Sequence, residues 1–365
     1  MMSTAAPHVK YVEASQDDLD LSVEGVEHYV SITVSLHRAY QEFDHDPSAR
    51  DEILGRWVES QMSLIFPQPR DREKLLPMIK GQAWLQSYRR QYDVPPEPGS
   101  ARDMLCEELN DEFLVSYAEH TGGIDYLHVS DLEELGMTRD GLHQQALANL
   151  RSMTLRREIK IVGGAWLIAA DGPPNSSLML DDDVWRHPGL ARLDPLIVAA
   201  PERDLLVAAA GESADEIWQL ARRTSEATRA AAYPISGQLM MRRQGSFELL
   251  DPDLVDESHA IPNLHLIDVF AKMKSGGTTL GVTIASALDA SPRSVFRLFR
   301  KIDAYLNEIA TDGHAKEFGK ATPENTEIEV SFHVPAHPEI LDLLNERIGE
   351  YVESRGARLQ IVHGE

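Results

Sequence analysis

The spacing of apolar and polar residues changes several times along the first part of the chain. HVKYVEASQDDLDLSVEGVEHYVSI alternates with a period of two, which predicts one or two strands around a turn. Three- and four-residue spacing then predicts helices in VSLHRAYQEF, in ARDEILGRWVESQM and in MLCEELNDEFLVSYAEH. The stretch REKLLPMIKGQAWLQSYRRQY has the same spacing but is interrupted by Pro77 and Gly81. We therefore predict, for residues 1–118, a strand pair and helices that pack on the following region.

From residue 119 the pattern alternates between strand and helix. GGIDYLHVS predicts a strand, and LEELGMTRDGLHQQALANLRSM predicts a helix with an apolar inner face. EIKIVGGAWLIAA predicts a hairpin, because Gly163 and Gly164 accept the positive φ of a tight turn. PLIVAA and DLLVAAA flank the turn PERD, and ADEIWQLARRTSEATRAA predicts a long helix. Residues 119–250 are predicted to form an α+β sheet domain.

The final third of the chain predicts a separate small domain. Residues 251–262 are polar and acidic and contain two prolines, which is typical of a linker. Beyond them, residues 263–365 follow the order ββαβαβ, with Pro292 and Pro338 near helix starts. The predicted fold class is α+β: a helical N-terminal region and a mixed sheet layer, followed by a small ββαβαβ sandwich domain.

Composition is that of a globular protein of more than one domain. The 365 residues are 42% hydrophobic and 26% charged. No apolar run approaches the ~20 residues of a membrane helix, and the N-terminus lacks the pattern of a secretion signal. The single cysteine, Cys106, excludes an internal disulfide and any multi-cysteine zinc site. Its spacing to Leu109 indicates the core, and acidic neighbours raise a thiol pKa. We expect a cytoplasmic location.

The net charge of −24 narrows the possible partners. An acidic chain is a poor candidate for direct nucleic-acid binding or for an anionic membrane surface, so we expect neither. Residues 13–52 contain eleven Asp or Glu against Arg38 and Arg50 alone. This acidity either serves solubility or attracts a basic partner protein. The candidate binding residues of this segment are Asp17, Asp18, Asp20 and Glu24.

The stretch LMLDDDVWRH (178–187) is the first candidate for site chemistry. Asp183 and His187 are four residues apart and could supply two metal ligands, but no third ligand follows at a suitable spacing. Carboxylates in the first turn of a short helix instead stabilise its N-terminal dipole, with Val184 and Trp185 buried. We favour this helix-cap interpretation and expect no metal site.

Other signals of site chemistry are weak. The chain has no GxGxxG, GxxxxGK[ST] or GxSxG pattern, and we expect no cofactor. Arg293, Arg297 and Arg300 share one side of a predicted helix. They could bind a phosphate or an acidic segment, or they form a solvated face paired with acidic residues elsewhere. Arg203 and Asp204 of PERD form either a local ion pair or part of a site.

Several segments resemble known families. SITVSLHRAYQEF, LEELGMTRDGLHQQALANLR, SSLMLDDDVW and LIVAAPERDLLVAAA resemble the bacterial YtpQ-like family of domains of unknown function, over about residues 8–250. LIDVF and KIDAYLNEI resemble a second uncharacterised family, over about residues 263–365. Neither family implies an activity or catalytic residues, so the resemblance implies only a two-part architecture.

Two hypotheses for function follow. The first is a non-enzymatic cytosolic module that binds another protein; one form of it is an acidic immunity-type or regulatory protein that occludes a basic partner. The second is a hydrolase-like enzyme whose site assembles from dispersed residues such as Asp183, His187, Arg203 and Asp204. The oligomeric state is left open.

Overall fold

The structure of the protein is a computed structural model. It describes residues 9–14, 20–25, 31–35, 51, 53, 55, 70–92, 94–120, 124–154, 156–172, 174–274 and 276–363. These fall in two compact units, Met1–Arg70 and Asp71–Glu365. In the first, β1 (Val9–Ala14), β2 (Asp20–Gly25) and β3 (Ser31–Ser35) form an antiparallel sheet with β2 in the middle. The sequence predicted at most two of these strands. The helices predicted within 36–69 lie outside the described residues except at three helical positions, Asp51, Ile53 and Gly55.

The second unit begins with an antiparallel sheet where helices were predicted. Its strands are β4 (Leu75–Gly81), β5 (Cys106–Glu108), β6 (Phe113–His120) and β7 (Ile124–Tyr126). The order is β4-β6-β5, and β7 also pairs with β6. Helix is wrongly predicted over β4, β5 and β6 because both faces of β4 and nearly all of β6 are buried, so their apolar runs show no alternation. The second half of REKLLPMIKGQAWLQSYRRQY is helical over Gln82–Arg89. Pro77 is tolerated because β4 is an edge strand.

Three helices accompany this sheet. They are α1 (Gln82–Arg89), α2 (Asp131–Leu135) and α3 (Arg139–Met153). The single helix predicted over 132–153 is divided because Gly136 has a left-handed backbone, with φ 56°, and ends α2. Thr138 then caps α3 by accepting a hydrogen bond from Gly141 N. The predicted inner face of α3 is confirmed, since these side chains are buried: Leu142, Ala146, Leu147 and Leu150.

A six-stranded antiparallel sheet forms the middle of the unit, in the order β13-β12-β10-β11-β9-β8. Its strands are β8 (Arg157–Val162), β9 (Ala165–Ala170), β10 (Leu196–Glu202), β11 (Leu205–Ala210), β12 (Met240–Arg243) and β13 (Ser246–Leu249). Gly163 and Gly164, with φ of 55° and 88°, form the turn of the predicted β8–β9 hairpin. A 3₁₀ turn and the short helix α4 (Asp182–Trp185) precede β10, and α5 (Ala214–Ala230) packs on β10 and β11.

The last sheet has the order β14-β15-β16-β17, antiparallel at β14 and parallel elsewhere. Its strands are β14 (Val269–Lys272), β15 (Thr278–Ile284), β16 (Thr326–Phe332) and β17 (Arg358–His363). Its helices are α6 (Pro292–Ile309), α7 (Asp312–Phe318), α8 (Pro338–Leu343) and α9 (Gly349–Ser354), and the π-helical turn Leu344–Ile348 joins α8 to α9. The predicted order ββαβαβ is present with α7 added, and the mixed α+β class is confirmed.

The segment predicted as a linker is packed against α6. Asp251 is completely buried, and Ala260 and Ile261 are buried in the core that also contains α6. Elsewhere in the same core, Trp218 of α5 contacts the rings of Phe299 of α6 and Tyr351 of α9. Residues 71–365 therefore share packed contacts, while the division at 118 and 250–263 stays a sequence-based prediction.

Asp303 of α6 ties α5 and α9 together and should make folding sensitive to acid. Burial raises the pKa of Asp303, but hydrogen bonds from Tyr351, Arg229 and Ser225 lower it more, so the net pKa is lowered. Tyr351 donates at 2.7 Å, and Arg229 and Ser225 donate at 3.0 Å. A folded pKa below the unfolded value of about 3.9 gives stability that is present above that value and is lost as the pH falls through the folded pKa.

We expect the free energy of unfolding of the wild type to fall more steeply than that of Asp303→Asn between about pH 6 and about pH 3. Urea denaturation across that range measures it. Parallel pH profiles for the two proteins would show that Asp303 does not contribute this dependence.

Candidate functional site

The acidic candidates of the N-terminal segment are only partly within the described residues. Asp20 and Glu24 lie in β2, the middle strand of the first sheet. Asp17 and Asp18 lie outside the described residues. Their role in binding therefore stays a prediction.

The arginine patch of α6 points inward onto one carboxylate. Asp251 accepts from Arg293 Nε at 3.1 Å and from the Nη1 atoms of Arg297 and Arg300 at 2.9 Å. Arg297 is completely buried and also donates to backbone carbonyls of the 251–262 segment, including that of Ile261 at 2.5 Å. The pairing with acidic residues elsewhere is present, and the face is only partly solvated: Arg297 is buried, and Arg293 and Arg300 are partly exposed. All three guanidinium groups have an internal carboxylate partner, and the binding of a phosphate or an acidic segment by this patch stays a prediction.

The aspartates of LMLDDDVWRH mainly cap and anchor α4. Asp181 accepts a hydrogen bond from Asp183 N, is completely buried, and pairs with Arg151 at 3.2 Å and with Arg157. Val184 and Trp185 are buried as predicted. The helix-cap interpretation thus describes the local geometry, and the arginine pairs on Asp181 are an addition to it.

An open groove of about 590 Å³ lies beside this segment. It is lined by Arg157, Glu158, Ile159, Asp183, Arg186 and His187. Asp183 is paired with Arg186 at 2.6 Å, and His187 Nδ1 accepts from Gly189 N at 3.2 Å. The groove brings the two candidates together, but each has a local partner. Across the parts of the chain that are described, no three His, Cys, Asp or Glu are grouped as metal ligands.

Arg203 and Asp204 form the turn between β10 and β11 and pair with each other. Arg203 Nε and Nη2 donate to Asp204 Oδ2 at 3.0 and 2.7 Å, and the guanidinium lies 4.3 Å from the ring centre of Tyr233. Neither residue lines the groove of Asp183 and His187. The structure thus assigns the four residues of the hydrolase-like alternative to two separate places.

A buried lysine that the sequence did not indicate lies near this turn. Lys80, near the end of β4, is 7% exposed, and its Nζ is 5.0 Å from the ring centres of both Trp84 and Tyr126. Among the described residues, no hydrogen bond or ion pair to this amine is present. We call Lys80, Trp84, Tyr126, Arg203 and Tyr233 the Lys80 site.

Close backbone packing brings the parts of the Lys80 site together. A Cβ on Gly81 would lie 2.5 Å from Ile235 O, so β4 ends directly against the segment that carries Tyr233. Ile235 N donates to Pro201 O at 2.9 Å, and Arg203 N donates to Tyr233 O at 3.1 Å. The sequence could not indicate Lys80, because a helix over this stretch would place it on the surface.

Charges around Lys80 alter its titration. Burial lowers the pKa of Lys80 to about 8; Arg203 also lowers it, and Asp204 raises it. Burial raises the pKa of Tyr126 to about 12. A lysine pKa lowered this far from its ordinary value marks Lys80 as a candidate functional group.

Cys106 is a contrasting case. Burial raises the pKa of its thiol to about 12, and Asp103 raises it further. The thiolate is the reactive form, so Cys106 is an unreactive thiol at neutral pH. It lies in β5 rather than in the predicted helix, and it packs beside the small apolar cluster of Leu85, Met104 and Leu114.

An acidic stripe runs along the helical segment 338–354. Five exposed carboxylates follow one another at intervals of three or four residues, which places them on one side of the helix: Glu339, Asp342, Glu346, Glu350 and Glu353. Among the described residues, none of the five makes an ion pair, whereas Arg347 of the same segment pairs with Asp215. The spacing is readable in PEILDLLNERIGEYVES, so the sequence contained this signal.

Comparisons with known proteins give no relative for this chain: no protein-family model, no curated protein and no solved structure matches it. None of the helices in the described ranges is both long and apolar enough to cross a membrane.

Proposed function

We propose that this chain is a non-enzymatic binding protein that recognises a basic protein through its acidic surface. The observation that carries the proposal is the acidic stripe, whose carboxylates make no ion pair with any of the described residues. Exposed like charges on one helix face repel one another and destabilise it slightly when no partner is present. A basic partner would relieve that repulsion.

The placement of the cations supports the same proposal. Several arginines and a lysine are paired with buried or half-buried carboxylates: Arg151 and Arg157 with Asp181, Arg293, Arg297 and Arg300 with Asp251, Arg229 and Arg355 with Asp303, and Lys301 with Asp268. Positive charge is thus neutralised internally, while much of the negative charge stays at the surface. With a net charge of −24, the resulting field would accelerate the approach of a basic protein.

An acidic immunity-type or regulatory protein that occludes a basic partner is the specific form of this proposal. This proposal includes two sequence-based predictions: a cytoplasmic location, and the resemblance to the YtpQ-like family and to the second uncharacterised family. The acidic segment 13–52, with Asp17, Asp18, Asp20 and Glu24, would be a second contact region.

Parallel capture from a lysate of the source cells tests the stripe. The immobilised wild type is compared with a variant in which Asp342, Glu346, Glu350 and Glu353 are changed to their amides. We expect the wild type to retain one basic protein in stoichiometric amount, released as ionic strength rises, and the variant to lose at least about tenfold in affinity for it, since several charge contacts are removed.

Two further variants make the test specific. The amide forms of Asp17, Asp18, Asp20 and Glu24 test the N-terminal region in the same way. A matched control changes four exposed acids elsewhere, Glu133, Glu134, Asp140 and Glu317, and carries the same change in net charge. If the stripe variant and this control lose equal amounts of affinity, the effect comes from net charge alone, and the stripe is not the binding site. Retention of no basic protein by the wild type would contradict the proposal itself.

The hydrolase-like alternative stays a prediction with less support. Asp183 and His187 line an open groove, and Arg203 and Asp204 do not. Catalytic residues have to lie within hydrogen-bond distance of the same reacting group of the substrate. Two pairs of residues in separate places cannot meet this condition together.

A further inference from the structure

We propose that Lys80 is a covalent site for a small carbonyl compound that carries an anionic group, with Arg203 attracting the anion. This inference goes beyond the binding of a basic protein and involves different residues. It concerns the amine of Lys80, which lies over the rings of Trp84 and Tyr126 and is influenced by the positive charge of Arg203.

The surroundings of Lys80 lack what a structural lysine normally has. A buried ammonium is normally stabilised by a carboxylate or by carbonyl oxygens, as Lys301 is by Asp268 at 2.5 Å and by two backbone oxygens. Lys80 has instead the faces of Trp84 and Tyr126, each 5.0 Å away. These two rings form the apolar part of the surroundings that a carbonyl compound would meet at Lys80.

Burial and the positive charge of Arg203 favour a neutral amine at Lys80, while Asp204 acts in the opposite direction. Arg203 and Asp204 at the β10–β11 turn are the charged groups that act on Lys80, and Tyr126 is the titratable group beside it. With a pKa of about 8, the amine is neutral in a useful fraction of molecules near neutral pH. A lysine placed beside another cation in an apolar site is a nucleophile for carbonyl compounds.

The reaction is reversible imine formation. The Lys80 nitrogen bonds to the carbonyl carbon, and both amine hydrogens leave with the carbonyl oxygen as water. An anionic group on the ligand would compete with Asp204 for Arg203, which donates to that carboxylate at 3.0 and 2.7 Å and whose guanidinium lies 4.3 Å from the ring centre of Tyr233. Tyr233 is 52% exposed, so the solvent side of the Lys80 site is open at that ring.

Glyoxylate with cyanoborohydride tests the site. Hydride from cyanoborohydride reduces the imine to a stable carboxymethyl amine, which peptide mapping by mass spectrometry locates. At pH 7.5 an amine of pKa 8 is neutral in about a quarter of molecules and an ordinary lysine in about one in a thousand. We expect Lys80 to be labelled at least about tenfold faster than the exposed Lys316 and Lys320.

Acetaldehyde and two variants complete the design. Lys80→Met should remove the fast label. Arg203→Gln raises the pKa of Lys80 and slows both reagents, but it should slow glyoxylate more than acetaldehyde, by about threefold or more, because only glyoxylate is charged. Labelling of Lys80 no faster than of Lys316 would overturn the proposal. An unchanged ratio of glyoxylate to acetaldehyde in Arg203→Gln would overturn the role of Arg203.

Discussion

Replacing Asp251 with alanine is expected to lower the free energy of unfolding by about 3–5 kcal/mol, because removing one partner of a buried ion pair leaves uncompensated charge behind. Three guanidinium groups lie within 3.1 Å of this carboxylate, and that of Arg297 is completely buried. In the variant, Arg297 keeps its carbonyl acceptors but loses the opposite charge, and Arg293 and Arg300 repel it. Denaturation in urea, followed by fluorescence and circular dichroism, measures the loss.

Asp253, two residues later, provides the matched control. It is the same residue type in the same segment and lies 3.8 Å from Arg293, but its side chain is 61% exposed. Exposed ion pairs contribute about 0–1 kcal/mol, so Asp253→Ala should lose no more than that. If Asp251→Ala and Asp253→Ala lose equal amounts, the cluster around Asp251 does not hold the segment in place.

Trp218→Ala is expected to lower the free energy of unfolding by about 3–5 kcal/mol, the usual range for removing a large buried aromatic side chain. Trp218 is 2% exposed, and its ring centre lies 5.2 Å from that of Phe299 and 5.8 Å from that of Tyr351. These rings belong to α5, α6 and α9, so the cavity would open between the middle sheet layer and the C-terminal sheet layer.

The same variant tests whether the regions 119–250 and 263–365 unfold together. Shared packing predicts that tryptophan fluorescence and far-ultraviolet circular dichroism shift to the same lower midpoint. Trp218→Phe should lose less, and Ile161→Ala, at a side chain 62% exposed, should change stability by less than about 0.5 kcal/mol. Two separated transitions in Trp218→Ala would mean that the C-terminal region is stable without this contact.

Local signals in the sequence were sufficient where one face of an element is solvated. The β8–β9 hairpin, the PERD turn and α5 follow from paired glycines, charged turn residues and a 3.6-residue repeat. β4 and β6 were predicted as helices because burial of both faces removes the alternation that distinguishes strands. Only pairing between distant strands, such as Pro77 with Tyr117, decides their structure.

The candidate sites divide in the same way. The cap at Asp181 and the pair of Arg203 with Asp204 are local in sequence; the cap was predicted, and the pair was one of two alternatives that the sequence left open. The Lys80 site combines residues from four separate segments, so no spacing in the sequence indicates it. The arginines of α6 were recognised as a group from the sequence. Their common acceptor, Asp251, was not, because it precedes Arg293, Arg297 and Arg300 by 42, 46 and 49 residues.

The packing of Asp251 also determines where the chain can be divided by recombination or truncation. A fragment beginning at residue 263 would keep the whole last sheet but would expose Arg297 without Asp251 and without the carbonyl of Ile261. A C-terminal fragment that is to fold by itself therefore has to begin before Asp251. Residues 251–262, which have the composition of a linker, therefore have to be included in any recombined or truncated fragment that contains the last sheet.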